Sequence, residues 1–140
     1  MTVAQKRPEF RNINVFKDVT TYRMPAPALV SILHRISGAA IFVLLPLIIW
    51  MFDASVSSEI SFARLRNAFG NGAWGVILKL VSLGLIWAYL HHFIAGLRHV
   101  WMDVSHKAVS KSWGVGSAKI TLAASLLLTA ILGAKLFGLY

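Results

Sequence analysis

The hydrophobic pattern of the chain consists of three long apolar segments separated by two polar segments. A helix rises about 1.5 Å per residue and needs about 20 apolar residues to cross the hydrocarbon core of a bilayer, and each apolar segment is long enough. The pattern therefore predicts an all-α integral membrane protein with three transmembrane helices in a single membrane domain. The predicted helices span about residues 28–52, 73–100 and 118–140, and the domain comprises residues 1–140.

The segments outside the apolar spans have patterns of their own. Residues 1–24 are basic and have no sustained apolar periodicity, which predicts an irregular segment lying against the membrane surface. Pro25 and Pro27 are typical of a helix start, and Pro46 predicts a modest kink inside the first helix. Residues 53–72 are polar and predict a loop, in which the amphipathic stretch 62–69 predicts an interfacial helical turn.

The composition agrees with a membrane protein and excludes several other classes. Hydrophobic residues make up 57% of the chain, charged residues only 14%, and the mean hydropathy is +0.68, values that do not suit one soluble domain. The chain contains no cysteine, so it can ligate neither an iron–sulfur cluster nor a covalently attached c-type haem. Its net charge of +9 comes from lysines and arginines near the ends of the apolar segments, which favours membrane topology over a nucleic-acid partner.

The distribution of lysine and arginine predicts the orientation of the helices. The segment up to Arg35 holds six of these residues, whereas the segment between the first and second helices holds two. Because cytoplasmic segments carry the excess of positive charge, the N-terminus is predicted to be cytoplasmic. The polar N-terminal segment resembles neither a cleaved secretory signal nor an organelle presequence, so we expect a bacterial inner membrane.

A polar face interrupts the first predicted helix. At about 100° per residue, one face about 100° wide carries Ser31, His34, Arg35 and Gly38. Ionisable side chains inside a membrane are costly and usually face protein, water or a ligand. A quinone carbonyl needs a hydroxyl or guanidinium donor beside an apolar slot, and Ser31 and Arg35 supply both. The alternative is that Arg35 only reaches the headgroups and that His34 lies at the membrane interface.

The second predicted helix carries a polar face near its C-terminal end. His92 and His99 fall on the same side, together with small residues and with Asp103 if the helix reaches that far. A strip of small residues beside an inward-facing histidine leaves room for a flat porphyrin, whose iron accepts a neutral imidazole nitrogen as axial ligand. His91 points about 100° away, on the side of Arg98, and is the weaker candidate. The alternative is close helix packing, with His92 forming a hydrogen bond between helices.

Three motifs carry a resemblance to a known family. They are RPEF near the start, SILHRISG from Ser31 to Gly38, and HFIAGLRHVWMD from His92 to Asp103. In order, spacing and three-helix layout they resemble the cytochrome b subunit of succinate dehydrogenase, whose signatures S-x-x-H-R-x-[ST]-G and H-x-x-x-G-x-R-H-x-x-x-D are both complete here. The resemblance covers essentially the whole chain and implies a helical bundle formed with a second membrane-anchor subunit.

The resemblance implies roles for the residues of these motifs. His92 corresponds to the axial ligand of haem b, and the other axial ligand is expected from the second anchor subunit. The positions that correspond to quinone-binding residues are Ser31, Arg35 and Asp103. The positions that correspond to residues around the haem and its propionates are His34, Arg35, Arg98 and His99.

The resemblance also implies partners and a reaction. Succinate would be oxidised to fumarate on a flavoprotein subunit, and electrons would pass through an iron–sulfur subunit to ubiquinone. This chain would dock those subunits in the lipid bilayer, hold haem b and help form the ubiquinone-reduction site, with Asp103 or water supplying protons. Two alternatives stay open: a fumarate reductase membrane anchor, which would run the reaction in the opposite direction, and a noncatalytic membrane scaffold whose histidines and arginine only join helices.

Overall fold

The structure, a computed structural model, describes residues 14–21, 23–70 and 72–140. Within these ranges it contains six α-helices, numbered α1 to α6, and one 3₁₀ helix, joined by short connections. Their bounds are α1 Val15–Thr21, α2 Ala26–Val43, α3 Leu45–Val56, α4 Glu59–Gly70, α5 Gly72–Val104, the 3₁₀ helix His106–Val109 and α6 Lys111–Leu136.

Three of these helices, α2, α5 and α6, are long and apolar enough to cross a membrane. α5 packs against both α2 and α6, and α2 also contacts α6, so the three helices form one bundle. α4 packs against α3 and α5 at the side of this bundle. The prediction of an all-α membrane protein with three candidate transmembrane helices is confirmed for the part of the chain that the structure describes.

The first apolar segment is divided into α2 and α3 at a single residue, Leu44, near the proline that predicts a kink. Leu44 lies between α2 and α3, and its backbone NH points to the carbonyls of Ala40 and Phe42. Pro46 has no NH, so it cannot donate to the carbonyl of Phe42 four residues earlier. The proline that predicts a kink therefore explains the break at Leu44, after which α3 continues the apolar segment with the NH of Ile48 bonded to the carbonyl of Leu44.

α5 and α6 both extend beyond the apolar segments that predict them. α5 reaches Val104, so Asp103 is part of this helix. α6 begins at Lys111 rather than near residue 118, and Ser110 before it has an extended backbone. Hydropathy detects the part of a helix that lies in hydrocarbon and misses polar turns at the level of the headgroups, which explains both differences.

The polar segments contain more helix than the sequence pattern predicts. α4 occupies most of the predicted loop 53–72, and it buries Leu65 and Phe69 partly while its arginines are exposed. α1 lies within the segment 1–24, which was predicted to be irregular. Residues 1–13 and 22, including the RPEF motif, lie outside the described residues. Packing of α4 on its neighbours, which a sequence pattern does not represent, stabilises this short helix.

The core of the bundle is small and partly polar. Its apolar cluster consists of Val30, Ala95 and Ala118, one residue from each transmembrane helix. Large apolar side chains lie mainly on the outside, as expected where lipid rather than water covers the surface, and small residues let the helices approach. The buried polar side chains between the described helices are Ser37, His91, Arg98, Ser117, Thr121 and Ser125.

Gly75 lies at a close approach of α4 and α5. A Cβ added there would lie 2.8 Å from the backbone carbonyl oxygen of Phe69, which cannot move aside as a flexible side chain can. We expect Gly75→Ala to destabilise the purified protein by about 1–3 kcal/mol, as overpacking does. The measurement is the thermal unfolding midpoint in detergent, with Gly70→Ala as control because its Cβ would meet no atom within 4 Å. An unchanged midpoint for Gly75→Ala would contradict this prediction.

Candidate functional site

Three histidines come together where α2 packs against α5. The imidazole rings of His34 on α2 and His92 on α5 are stacked, with centroids 4.2 Å apart and an interplanar angle of 15°. The ring of His99, two turns after His92, lies 5.1 Å from the His34 ring at an angle of 45°. The two polar faces predicted on separate helices therefore meet, and we call His34, His92 and His99 the histidine cluster.

One hydrogen bond orients the ring of His92. Its Nδ1 lies 3.0 Å from the backbone carbonyl oxygen of His34. Because a carbonyl oxygen only accepts, Nδ1 carries the proton and donates it. The same carbonyl accepts the hydroxyl of the buried Ser37 at 2.9 Å. In the neutral ring this arrangement leaves the lone pair of His92 on Nε2, which is the form in which an imidazole binds a metal.

Gly38 lets the His92 ring lie against α2. A Cβ at position 38 would lie 2.7 Å from Cε1 and 3.0 Å from Nδ1 of His92, closer than real Cβ atoms approach such groups. Gly96 on α5 is less constrained, since a Cβ there would lie 3.8 Å from Nε2 of His34. The glycine that ends the first sequence motif therefore makes room for the histidine that begins the second motif.

His34 carries an unsatisfied polar atom. Its Nε2 is buried and has no hydrogen-bond partner in the part of the chain that the structure describes. Such atoms are rare in native proteins, because leaving a buried donor or acceptor unpaired costs about 1–3 kcal/mol. This nitrogen is therefore a candidate contact for a polar group of a bound molecule.

Ser31, Arg35 and Asp103 lie at the same end of the bundle as the histidine cluster but outside its contacts. Arg35 and Asp103 are exposed, and Ser31 is half-buried. None of these three side chains forms a hydrogen bond or ion pair with another described residue. A donor hydroxyl, a guanidinium and a carboxyl are thus available to a molecule that lies against the surface of this chain.

His91 and Arg98 face α6 rather than the histidine cluster. His91 is fully buried, and its Nδ1 lies 3.2 Å from Oγ of Ser125. Arg98 donates from Nε to Oγ of Ser117 at 2.9 Å and from Nη2 to the carbonyl of Gly114 at 3.2 Å. These contacts agree with the helical wheel, which puts His91 and Arg98 on one side. The guanidinium that the resemblance associates with the haem region is directed to α6 in this chain.

The partners of these side chains on α6 were not predicted from the sequence. Ser117 and Ser125 are buried, with the buried Thr121 between them, and these three hydroxyls recur every four residues along α6. This spacing puts them on one face and is the signal that could have identified them. The sequence pattern did not identify Ser37 as part of the site. Its hydroxyl donates to the carbonyl of His34 in its own helix, the same carbonyl that accepts from His92.

Comparisons with known proteins give a family and several relatives. Residues 6–132 match the family described as succinate dehydrogenase/fumarate reductase transmembrane subunit. The chain is 34% identical over 87 residues to a protein of Coxiella burnetii named succinate dehydrogenase cytochrome b556 subunit, an alignment that covers 62% of this chain and 67% of the relative.

Two further relatives carry the same name. The protein of Paracoccus denitrificans is 35% identical over 85 residues, which are 61% of this chain and 62% of that relative. The protein of Rickettsia felis is 23% identical over 130 residues, which are 93% of each chain. The alignments with the Coxiella and Paracoccus proteins thus span about two thirds of those relatives, and the Rickettsia alignment spans nearly the whole length.

Proposed function

The chain belongs to the succinate dehydrogenase/fumarate reductase transmembrane subunit family, and from this premise we propose that it anchors a succinate dehydrogenase in the membrane, binds haem b and helps form the ubiquinone-reduction site. Succinate is oxidised on a partner flavoprotein in this proposal, and electrons arrive through an iron–sulfur subunit. The observation that carries the proposal is the hydrogen bond from Nδ1 of His92 to the carbonyl of His34, because it leaves Nε2 of His92 available to ligate iron.

The histidine cluster fits a haem b for which this chain supplies one axial imidazole. The chain has five histidines and no cysteine, so an imidazole is a ligand type that it can offer. His92 would hold the iron through Nε2, and the second membrane-anchor subunit would supply the other axial ligand. The propionates would lie near Arg35, His99 and the buried, unpaired Nε2 of His34. When bound, haem b supplies a one-electron carrier beside the quinone site.

Burial distinguishes His92 from His91 as the proposed ligand. The His91 side chain is 0% exposed, its Nδ1 is bonded to Ser125, and its Nε2 is also buried. One side of its ring stacks with Trp87 at 5.4 Å. A porphyrin would have to separate the helices of the bundle to reach this ring. His92 is only partly buried, and its Nε2 has no hydrogen-bond partner among the described residues, so it is the accessible candidate.

Ser31, Arg35 and Asp103 are proposed to line the ubiquinone site. The hydroxyl of Ser31 and the guanidinium of Arg35 can donate hydrogen bonds to a quinone carbonyl, and Arg35 can also stabilise negative charge on that oxygen during reduction. Reduction of ubiquinone takes up two protons, and the carboxyl of Asp103, exposed at this end of α5, can pass protons from water. Their lack of partners among the described residues supports this role.

Arg35→Gln and Asp103→Asn are expected to slow ubiquinone reduction by the purified complex about tenfold or more. A hydrogen bond to a charged group contributes about 1.5–3 kcal/mol, and 1.4 kcal/mol corresponds to about a factor of ten. The measurement is succinate-driven reduction of a short-chain ubiquinone, beside succinate-driven reduction of a dye that accepts electrons from the soluble subunits. The dye rate is expected to stay at the wild-type value.

Arg64→Gln provides the matched control for this prediction. Arg64 is an exposed arginine on α4, at the opposite end of the bundle from Arg35. Its substitution is expected to leave both rates unchanged. Wild-type ubiquinone reduction by Arg35→Gln would refute the proposed donor, and an unaltered rate in Asp103→Asn would refute the proton route.

The proposed orientation puts the histidine cluster near the cytoplasmic face of a bacterial inner membrane. The excess of lysine and arginine in the N-terminal segment supports it. The iron–sulfur and flavoprotein subunits would dock at this face, and the second anchor subunit would pack against the bundle within the bilayer. The exposed Arg35 supports such packing, because a cation on the outside of a transmembrane helix needs protein, water or a ligand beside it.

The same observations bear on the two rival functions, a fumarate reductase anchor and a noncatalytic scaffold. The family description includes fumarate reductase, but the three relatives reported above are named for succinate dehydrogenase. A noncatalytic scaffold, in which histidines only join helices, gives no reason for Nε2 of the partly buried His92 to be left without a hydrogen-bond partner among the described residues. This free Nε2 and the space that Gly38 leaves for the His92 ring favour a ligand instead. A haem spectrum of the purified complex separates the scaffold from the proposed anchor.

A further inference from the structure

α5 presents two pairs of polar side chains that are offset by one residue. His92 and His99 form one pair at the side of α2, and His91 and Arg98 form the other pair at the side of α6. Members of a pair are seven residues apart, about two turns, and the two pairs are about 100° apart around the helix axis. If α5 were turned about its own axis by the angle of one residue, about 100°, His91 and Arg98 would take the places of His92 and His99.

The contacts of the second pair with α6 are directional and buried. Nδ1 of His91 lies 3.2 Å from Oγ of Ser125, and Nε of Arg98 lies 2.9 Å from Oγ of Ser117. The hydroxyl of Ser125 also lies 3.1 Å from the carbonyl of Leu122 on its own helix, so it can accept from Nδ1 of His91 while donating to that carbonyl. Residue 91 pairs with 125 and residue 98 with 117, so both contacts fit one antiparallel register of the two helices.

One other polar contact joins α5 to a neighbour, the hydrogen bond from Nδ1 of His92 to the carbonyl of His34 on α2, and His91 could form it in place of His92 after such a rotation. The remaining buried contacts around α5 involve small or apolar side chains. Ala88 and Ala95 are buried on α5, Ala118 is buried on α6, and Leu83 packs closely over Gly133. Lipid tails are as apolar as these side chains, so such contacts discriminate weakly between rotations of a transmembrane helix, whereas hydrogen bonds between helices are directional. The hydrogen bonds of His91 and Arg98 with α6 are therefore the features that favour the observed rotation of α5 over one shifted by a residue.

We propose that the contacts His91–Ser125 and Arg98–Ser117 set the rotation of α5 and thereby determine that His92, rather than the adjacent His91, is presented at the histidine cluster. His91 is a positioning residue that acts through His92. Where it concerns haem, this inference rests on the proposed function. The orientation of the His92 ring, however, can be measured whether or not haem is bound.

The test compares His91→Leu with Ser125→Ala in the full complex. Each variant removes one partner of the same hydrogen bond, so each is expected to shift and broaden the electron paramagnetic resonance signal of the ferric low-spin haem. The g values of that signal depend on the orientation of the axial imidazole planes. The double variant is expected to show the same change as the single variants, because the two residues act through one contact. His91→Asn keeps an N–H donor near Nδ1 and is expected to restore the wild-type signal.

Thr121→Ala is the matched control. Thr121 is buried on the same face of α6, between Ser117 and Ser125, but its hydroxyl bonds at 3.0 Å to the carbonyl of Ser117 within its own helix. The electron paramagnetic resonance signal of the Thr121→Ala complex is expected to equal that of the wild type. Unchanged signals in both His91→Leu and Ser125→Ala would overturn the proposal, as would an equal change in Thr121→Ala.

A second readout separates this inference from haem ligation. In complex prepared with isotope-labelled histidine, the ring-nitrogen resonances of His92 report the hydrogen bond from its Nδ1 to the carbonyl of His34. The chemical shifts of these resonances are expected to change in His91→Leu and Ser125→Ala and to stay at the wild-type values in Thr121→Ala. If the wild-type complex contains no haem, the proposed ligation fails while these resonances still decide the positioning role. A His92 resonance that does not respond to His91→Leu would overturn that role.

Discussion

His92→Ala is expected to remove the b-type haem from the purified complex, and His91→Ala is expected to retain it. Alanine has no lone pair for iron, so the haem would lose the axial bond that this chain supplies in the proposed site. His91 instead lies inside the bundle with 0% of its side chain exposed. In our proposal it orients α5 and does not ligate the iron. The measurement is a dithionite-reduced minus oxidised absorption spectrum, expressed as haem per flavin.

The size of the difference makes this test decisive. We expect at least about a tenfold loss of haem per flavin in His92→Ala, since 1.4 kcal/mol of lost binding already gives a factor of ten and a metal–ligand bond contributes more. Flavin content and subunit ratios measured on the same sample establish that the complex has assembled. Retention of haem by His92→Ala, or equal loss in both variants, would contradict the assignment of the ligand. A wild-type complex without haem would leave a haem-free quinone anchor or a scaffold.

The three transmembrane helices could be predicted from hydropathy because a bilayer demands long apolar segments and little else. The ends of the helices could not be predicted from hydropathy. The first turns of α6 from Lys111 are polar but helical. α4 is longer than the helical turn that the pattern predicts in this loop, because it packs on α3 and α5. Pro46 revealed the position of the interruption in the first segment, but its extent depends on how the neighbouring carbonyls find donors.

Part of the candidate site could also be predicted. The helical wheel assigns His34 and Gly38 to one face of the first helix and His92 and His99 to one face of the second, and the structure brings these faces together. The wheel does not give the distance between helices, which small residues at the interface determine. The contact of Gly38 with the His92 ring and the hydrogen bond to Ser125 therefore emerge only from the packed bundle.

Gly38→Ala is expected to lower haem per flavin severalfold while α2 stays helical. Alanine is about 1 kcal/mol more favourable than glycine within a helix, so the substitution does not weaken α2 itself. The new Cβ would lie 2.7 Å from Cε1 of His92, and something must move. The helical backbone around Gly38 is held by its own hydrogen bonds, so the imidazole is expected to turn away. That movement breaks the bond from Nδ1 of His92 to the carbonyl of His34 and redirects Nε2.

Gly116→Ala tests whether any extra methyl group in the bundle has this effect. A Cβ at Gly116 on α6 would meet no atom within 4 Å, so wild-type haem content is expected. The ring-nitrogen resonances of His92 should change in Gly38→Ala and not in Gly116→Ala, which links the loss of haem to the ligand rather than to assembly. Full haem content and an unchanged His92 resonance in Gly38→Ala would mean that α2 and α5 separate slightly without turning the ring. Gly38 would then serve the packing of these helices and not the orientation of His92.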